Sequence, residues 1–446
     1  MHLPSRLTWL LLLAVFACNI YRAATQSITV DEVTTYQRFV APPWSQIFTS
    51  YSPNHHVLYS VLAKLTTGLL GISELTLRLP SLLGGLIYLL AARAIVLYVF
   101  TAEWAVVAFG LLSLNPFILD YLSVARGYGL ALGLLMSGLW FLMRSSWFAG
   151  GICLGLTLAA NLSFFYPVAG LCAATALASG RKELGRLVDL VFVPAAIVAF
   201  VIVAVPLSRA VPTEFSFGSP DVAESIDNFI ILSLKQKLPP FDVLVGRAAA
   251  TLGILTLVCG APAWIAIMRQ KSRTPLDSMI LLNGGAMLVG CGLTWLAHVT
   301  IGVPYPLART GVYWPVMLSL GGVALIVRFA RRRELQWPAL ALAALCLLQF
   351  GREFEVSYYE GWRYNAGIKR IAEVILQQSG RGKLRIVCSL GVQDSLRFYR
   401  DRNGAEWEVI PDPKASGTLY VFLPEDLSPA MKPLYRDPVS EAVLAQ

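Results

Sequence analysis

Charge is what this sequence has least of. Asp, Glu, Lys and Arg make up only 14% of its 446 residues, while 56% are hydrophobic and the mean hydropathy is +0.62. An ordinary soluble domain carries about a quarter charged residues, so a soluble globular chain is excluded and a polytopic membrane protein is indicated. Cysteine is present but in no useful arrangement. Six of the seven (Cys18, Cys153, Cys172, Cys259, Cys291 and Cys346) fall in apolar stretches and Cys388 stands alone, which excludes a disulfide framework and a zinc-type spacing. No glycine-rich nucleotide fingerprint occurs, since Gly391 at an expected strand-to-helix turn is a single glycine. No internal repeat is evident. The net charge of +9 does not indicate nucleic acid as a partner, because the surplus Arg and Lys lie in short loops between apolar runs, where they act as topology signals.

What the chain does have is apolar runs long enough to span a bilayer, about 17 to 25 residues each. They are expected near 6–24, 79–100, 104–122, 124–143, 147–163, 164–180, 187–207, 243–268, 278–299, 310–328 and 336–350. Only Asn161-Leu162-Ser163 divides the fifth from the sixth. It matches a glycosylation acceptor, but its place between two spans argues against that use. Val15-Phe16-Ala17-Cys18 has the outline of a lipoprotein cleavage site. Phe16 is too large for one and the run continues into Tyr21-Arg22, so a retained first helix is expected.

Eleven spans place the termini on opposite sides. Alternate short loops carry Arg6, Arg144, Arg181, Lys182, Arg186, Arg269, Lys271, Arg273, Arg328 and Arg331-Arg332-Arg333. The other set holds Arg126, Arg209, Lys235, Lys237 and Arg309, diluted by acids and longer loops. The positive-inside rule assigns the first set, with the N-terminus, to the cytoplasm of an inner-membrane protein. The opposite ends then lie outside. The expected organisation is an all-α membrane domain over 1–350, with a first outer loop at 25–78, and a small α/β extracytoplasmic domain over 351–446. In the latter, 361–378 has helical spacing, 384–388 and 418–423 read as strands, and 394–402 as a helix between them.

The outer loop after the first span concentrates the chemistry. Residues 30–59 contain the acidic pair Asp31-Glu32, the pair His55-His56, and Tyr36, Trp44 and Tyr51. Titratable groups at the mouth of a membrane bundle mark a candidate site. His56, Ser60 and Lys64 are spaced four apart, opposite a stripe of Val57, Leu58, Val61, Leu62 and Leu65, which predicts an amphipathic helix in the interface. Outer ends of later spans bring Asn115, Asp120, Arg126, Tyr128, Tyr166, His298, Tyr305 and Arg309 to the same level. Such a set suits a substrate with a charged head and an apolar tail.

Each residue has a plainer reading beside it. Asp31-Glu32 also suits the first turn of a juxtamembrane helix, where acids complement the dipole. Arg126 and Arg309 also suit snorkelling to head groups. Tyr166 and Tyr305 suit an interfacial belt. His55-His56 with His298 and an acid would make a metal site, but the spacing matches no compact ligand motif, so neither metal nor other cofactor is expected.

Five segments together resemble the GT-C glycosyltransferases. They are Asp31-Glu32, Ser52-Pro53-Asn54-His55-His56, Leu77-Arg78-Leu79-Pro80-Ser81, Ala125-Arg126-Gly127-Tyr128, and Arg309 before a late helix. The branch is that of the protein mannosyltransferases, the aminoarabinose transferases and the RgtA/B/C/D-like bacterial enzymes, and the resemblance covers roughly residues 1–330. It implies a polyprenyl-phosphate sugar donor and the first-loop aspartate as catalytic base. The pattern departs where related enzymes have His-x-Pro-Pro or Lys-Pro-Pro and this chain has Asn54-His55-His56-Val57.

The chemistry agrees. A carboxylate can take the proton of an attacking hydroxyl, and a departing lipid phosphate needs cations. Asp31 is the expected base, with Glu32 orienting it or the acceptor. Arg126 and Arg309 are expected on phosphate, with His55, His56 or Lys64 assisting, and Tyr128 and Tyr305 among the substrate contacts. The acceptor is a lipid, a glycan or a protein. A single displacement would invert the anomeric centre. The competing function is a transporter or flippase of a lipid-linked sugar, which calls for charges near the middle of spans and internal repeats. Arg93 is the nearest to mid-span. A membrane-anchored scaffold displaying the C-terminal domain would not need ten further spans.

Overall fold

The computed structural model of the chain describes residues 3–211, 214–234, 241–270, 272–330, 332–428 and 431–446. Lys235, Lys237, Lys271 and Arg331, four of the residues weighed for topology, lie outside the described residues. Among those described, six helices are long and apolar enough to cross a membrane: Leu3–Thr25, Glu74–Val99, Leu162–Ser179, Arg181–Leu207, Pro275–Ile301 and Ala308–Phe329. Gly127–Met143 and Trp147–Ala160 are apolar but shorter. By length and apolarity the described helices thus support six of the eleven expected spans.

The stretch expected as one span over 104–122 is two helices, Ala102–Ser113 and Pro116–Tyr121. The Asn115 side chain accepts from Phe117 N–H and Pro116 occupies the first helical position, a start signal that hydropathy alone passes over. Asn161 caps the next junction in the same way, accepting from Ser163 N–H at 2.9 Å.

Small residues let the central helices approach. A side chain added at Gly84 would put its Cβ 2.4 Å from the Leu130 Cα, and one at Gly133 would lie 2.4 Å from the Gly84 carbonyl. Helices Glu74–Val99 and Gly127–Met143 thus pack backbone to backbone, as membrane helices do where burial of apolar surface supplies little drive. That contact fixes Arg126, the residue before the second helix, relative to Arg78 in the first.

After Glu353 the chain leaves the bundle and builds a five-stranded sheet. The strands are β1 Leu384–Cys388, β2 Trp407–Ile410, β3 Leu419–Phe422, β4 Pro433–Arg436 and β5 Val443–Ala445, in the order β2-β1-β3-β5-β4. β1 pairs in parallel with β2 and β3, while β5 runs antiparallel to β3 and β4. Helix Gln393–Asn403 supplies the crossover that a parallel β1–β2 pair requires.

The sheet domain is not hung loosely from the bundle. Ile28, Val33, Tyr36, Tyr59, Leu77 and Ala125 share one buried cluster with Ile368, Ile371, Leu396, Phe398 and Tyr399. Polar bonds cross the same seam. The Tyr399 hydroxyl accepts from Ile28 N–H at 3.0 Å and donates to Glu74 at 3.1 Å, while Lys369 and Arg402 pair with the same Glu74 carboxylate.

Candidate active site

The site starts from one short helix, Val30–Thr35. Thr29 and Glu32 form a reciprocal capping box: the Thr29 hydroxyl accepts from Glu32 N–H at 3.3 Å and the Glu32 carboxylate accepts from Thr29 N–H at 2.8 Å. Glu32 also takes two bonds from Arg78, each 2.7 Å, and one from Ala125 N–H at 2.6 Å. Both side chains of this pair are fully buried. The remaining Arg78 donors go to the carbonyls of Ala23, Gln26 and Ser27 at 2.7–3.0 Å.

Of the two roles expected of Glu32, orienting Asp31 or the acceptor, its surroundings fit the first. Four donors occupy its two oxygens, so it accepts nothing more and serves as a positioning group.

Asp31, next along the turn, stands elsewhere. Its side chain is 15% exposed, and Oδ2 lies 3.3 Å from Arg126 Nη1 and 3.2 Å from Arg309 Nη1. Arg126 is wholly buried; Nη2 donates to Asn54 Oδ1 at 2.9 Å and Nη1 reaches the Asp31 carbonyl at 3.4 Å. Arg309 is partly exposed, with its guanidinium 4.5 Å from the Phe217 ring centre. The residue before it, Ala308, has φ +46° and its N–H bonds Asn228 Oδ1 at 2.9 Å. A left-handed alanine costs about 1–2 kcal/mol, so packing is holding Arg309 in this position against local preference. Tyr128 completes the group, 5.9 Å from the Arg126 guanidinium and in contact with Tyr121.

The histidines separate. Gly127 leaves room for His56, since a Cβ there would fall 2.7 Å from that of His56, and the His56 ring meets Tyr128 edge-on at 5.1 Å. Burial, then the nearby charges of Arg126, His55 and Arg309, holds the His56 pKa well below 6.5. His55 turns the other way, stacked on Phe39 at 3.8 Å with Nδ1 donating to the Ser50 carbonyl at 3.2 Å. Burial lowers its pKa to about 4, offset in part by that bond. Both rings are neutral near pH 7, and only His56 reaches the arginines.

Two expected contacts are not brought in. Lys64 donates to the carbonyls of Val40 and Pro42 and lies 5.4 Å from the Trp44 ring centre. Helix Val57–Leu70 buries Val57, Tyr59, Ser60, Ala63 and Thr67 while Leu65, Leu69 and Leu70 are exposed. Its polar edge therefore packs on protein and its leucines face out, the reverse of a helix floating with its polar side in water. Tyr305 stacks on His298 at 4.3 Å, and its backbone pairs with Ser219. Asp120 binds Arg22 and accepts from Glu360 N–H at 3.0 Å, a second buried seam to the C-terminal domain. Among the described residues no three His, Cys, Asp or Glu side chains come together as a metal site.

Sequence reading missed Asn54 as a partner of Arg126, although it lies in the Ser52-Pro53-Asn54 turn singled out for other reasons. It also missed Phe217, which sits in a loop without pattern, and Tyr121, hidden inside an apolar run.

No protein-family model and no curated protein matches the chain. Among solved structures it is similar to ArnT, the aminoarabinose transferase, from Cupriavidus metallidurans, crystallised with undecaprenyl phosphate and in the apo state. Identity is 14%, coverage is 98% of this chain and 97% of that one, and the TM-score is 0.44. It is also similar to the Archaeoglobus fulgidus oligosaccharyltransferase in the apo form, at 14% identity and TM-score 0.48, over 91% of this chain and 64% of that longer one. Both proteins are members of the GT-C superfamily.

Proposed function

We propose that the chain is a multi-pass glycosyltransferase of the GT-C kind, moving a sugar from a polyprenyl-phosphate donor to a hydroxyl acceptor at the outer face of the inner membrane. One observation carries the reading: a partly exposed carboxylate, Asp31, is held between a buried arginine and a partly exposed one. In the reaction, Asp31 takes the acceptor hydroxyl proton as the acceptor oxygen bonds the anomeric carbon. The bond from that carbon to the phosphate oxygen breaks, and the polyprenyl phosphate leaves with the electron pair. Arg126 and Arg309 offset the charge that develops on it. A single displacement inverts the anomeric centre. Neutral His56 is placed to add one hydrogen bond, not a charge.

An apolar cavity of about 160 Å³, lined in part by Leu111, Phe229, Leu318 and Phe350, supports a lipid-tailed donor. Its wall residue Phe229 packs on Gly311, two positions from Arg309. In this reading residues 1–350 form the membrane transferase domain and 351–446 the outer one. The acceptor is a lipid, glycan or protein. A transporter is less well supported, because the buried charges Arg22, Glu32, Arg78, Asp120 and Arg126 lie at helix ends and are paired.

The test is Arg309→Ala in lipid nanodiscs, titrated with undecaprenyl phosphate. Binding is expected to weaken at least tenfold. Unchanged affinity removes Arg309 from the phosphate site.

A further inference from the structure

We infer that the C-terminal domain aims the carboxylate of Asp31, and that Asn365 is the positioning residue through which it does so. The inference rests on the transferase reading above and gives a task to a domain to which no chemistry was assigned.

Helix Val30–Thr35 has six residues, too few to hold its own place, so its position comes from what it touches. Its first turn has backbone donors with no partner inside the helix. The capping box takes Glu32 N–H, and Asn365 takes Val30 N–H on its side-chain oxygen, 3.0 Å away. The Asn365 side-chain nitrogen donates in turn to the Gly391 carbonyl at 3.2 Å. Asn365 is 1% exposed, and turning its amide over would set oxygen against oxygen at Gly391 and N–H against N–H at Val30. Only one orientation satisfies both sides, so the amide is a fixed bridge. Gly391 lies in the short turn Leu390–Val392 that follows β1, and its carbonyl belongs to the framework of the sheet domain.

The residues leading into the helix are held from the same domain. Ser27 donates to the Ala366 carbonyl at 2.5 Å and accepts from Lys369 N–H at 3.0 Å, and Ser395 donates to the Ile28 carbonyl at 3.3 Å. The bond at Val30 is the last of this series, one residue before the carboxylate that lies 3.2 and 3.3 Å from the two arginines. Glu32 is tied to Arg78 in the bundle, and Val30 to Asn365 in the C-terminal domain. With the first tie alone, the helix can pivot about Glu32 and carry Asp31 off its arginines. A displacement of about 1 Å at a reacting group can cost about a hundredfold in rate.

Two substitutions cut this bond from opposite sides. Asn365→Ala removes the acceptor. Val30→Pro removes the donor, and proline suits a first helical position after Thr29, whose φ −92° and ψ 157° are those of a residue before proline. In nanodiscs each is expected to lower kcat at least tenfold while undecaprenyl phosphate binds within twofold of wild type. The double variant is expected to be no slower than the slower single one, because both remove one interaction. Losses that multiply, a kcat within twofold of wild type in either single variant, or lipid binding lost in parallel overturn the assignment. The placement is also read without turnover. Beside two guanidinium groups a thiol is acidified, so the pH midpoint for iodoacetamide alkylation of Asp31→Cys, followed at that peptide by mass spectrometry, reports its distance from them. Adding Asn365→Ala is expected to raise that midpoint by about half a pH unit or more. Greater exposure alone would change the rate at every pH and leave the midpoint in place. An unmoved midpoint contradicts the assignment whether or not the protein transfers sugar. Absence of transfer by wild type, with the midpoint shift seen, would count against the transferase reading alone.

Discussion

Asp31 and Glu32 project from consecutive positions of one helical turn, and their surroundings give them opposite uses. Glu32 is sealed, with Arg78 and two backbone donors filling its oxygens, whereas Asp31 keeps an exposed edge between two cations. Removing one member of a buried pair leaves the other charge uncompensated, at about 3–5 kcal/mol. Glu32→Gln is therefore expected to lower the thermal midpoint in detergent far more than Asp31→Asn does, and equal shifts in the two variants would contradict this division. The acidic pair was legible in the sequence because two adjacent acids in an apolar chain are conspicuous. Which of the two is free was not, since that depends on Arg78 arriving from a helix 46 positions further on. Arg126 and Arg309 were legible for the same reason as the acids. Lys64 misled because helical spacing gives the face a residue shares but not what that face packs against.

At the scale of elements, the turn from Ser50 to His56, before helix Val57–Leu70, is built around neutral imidazoles. His55 has a pKa near 4 in the fold, set mainly by burial, against about 6.5 in the unfolded chain. A histidine whose folded pKa is depressed contributes stability above pH 6.5, and that contribution is lost as the pH falls from there towards 4. By pH 5 the loss from His55 is roughly 2 kcal/mol, and His56 adds in the same direction. Thermal melts are expected to show wild type losing stability between pH 7.5 and 5.0, and His55→Gln losing less over that interval; parallel profiles would count against a neutral His55. The turn at Ser52-Pro53-Asn54 precedes a helix whose N-cap is His56, without a side-chain capping bond, and the break at Asn115-Pro116 was overruled by the hydropathy around it. The strands β2, β4 and β5 have three or four residues each, too few to display an alternation, and β4 begins with a proline at the sheet edge.

For the whole molecule, the membrane bundle and the C-terminal sheet share a core, and the turn that carries Asp31 lies in the seam between them. The class of the protein was evident from its composition. The seam was not, because it is made of contacts more than 300 positions apart, such as Val30 with Asn365 and Glu74 with Tyr399. Ending the chain at Glu353 would uncover Ile28, Val33, Tyr36 and Leu77. The shortened protein is expected to aggregate on gel filtration in detergent, where a separately displayed domain would leave a monodisperse bundle. The most direct test of the central claim is sugar transfer by Asp31→Asn, with purified full-length protein given a polyprenyl-phosphate-linked sugar and its acceptor. Turnover is expected to fall at least a thousandfold while undecaprenyl phosphate still binds; transfer at the wild-type rate would contradict Asp31 as the base.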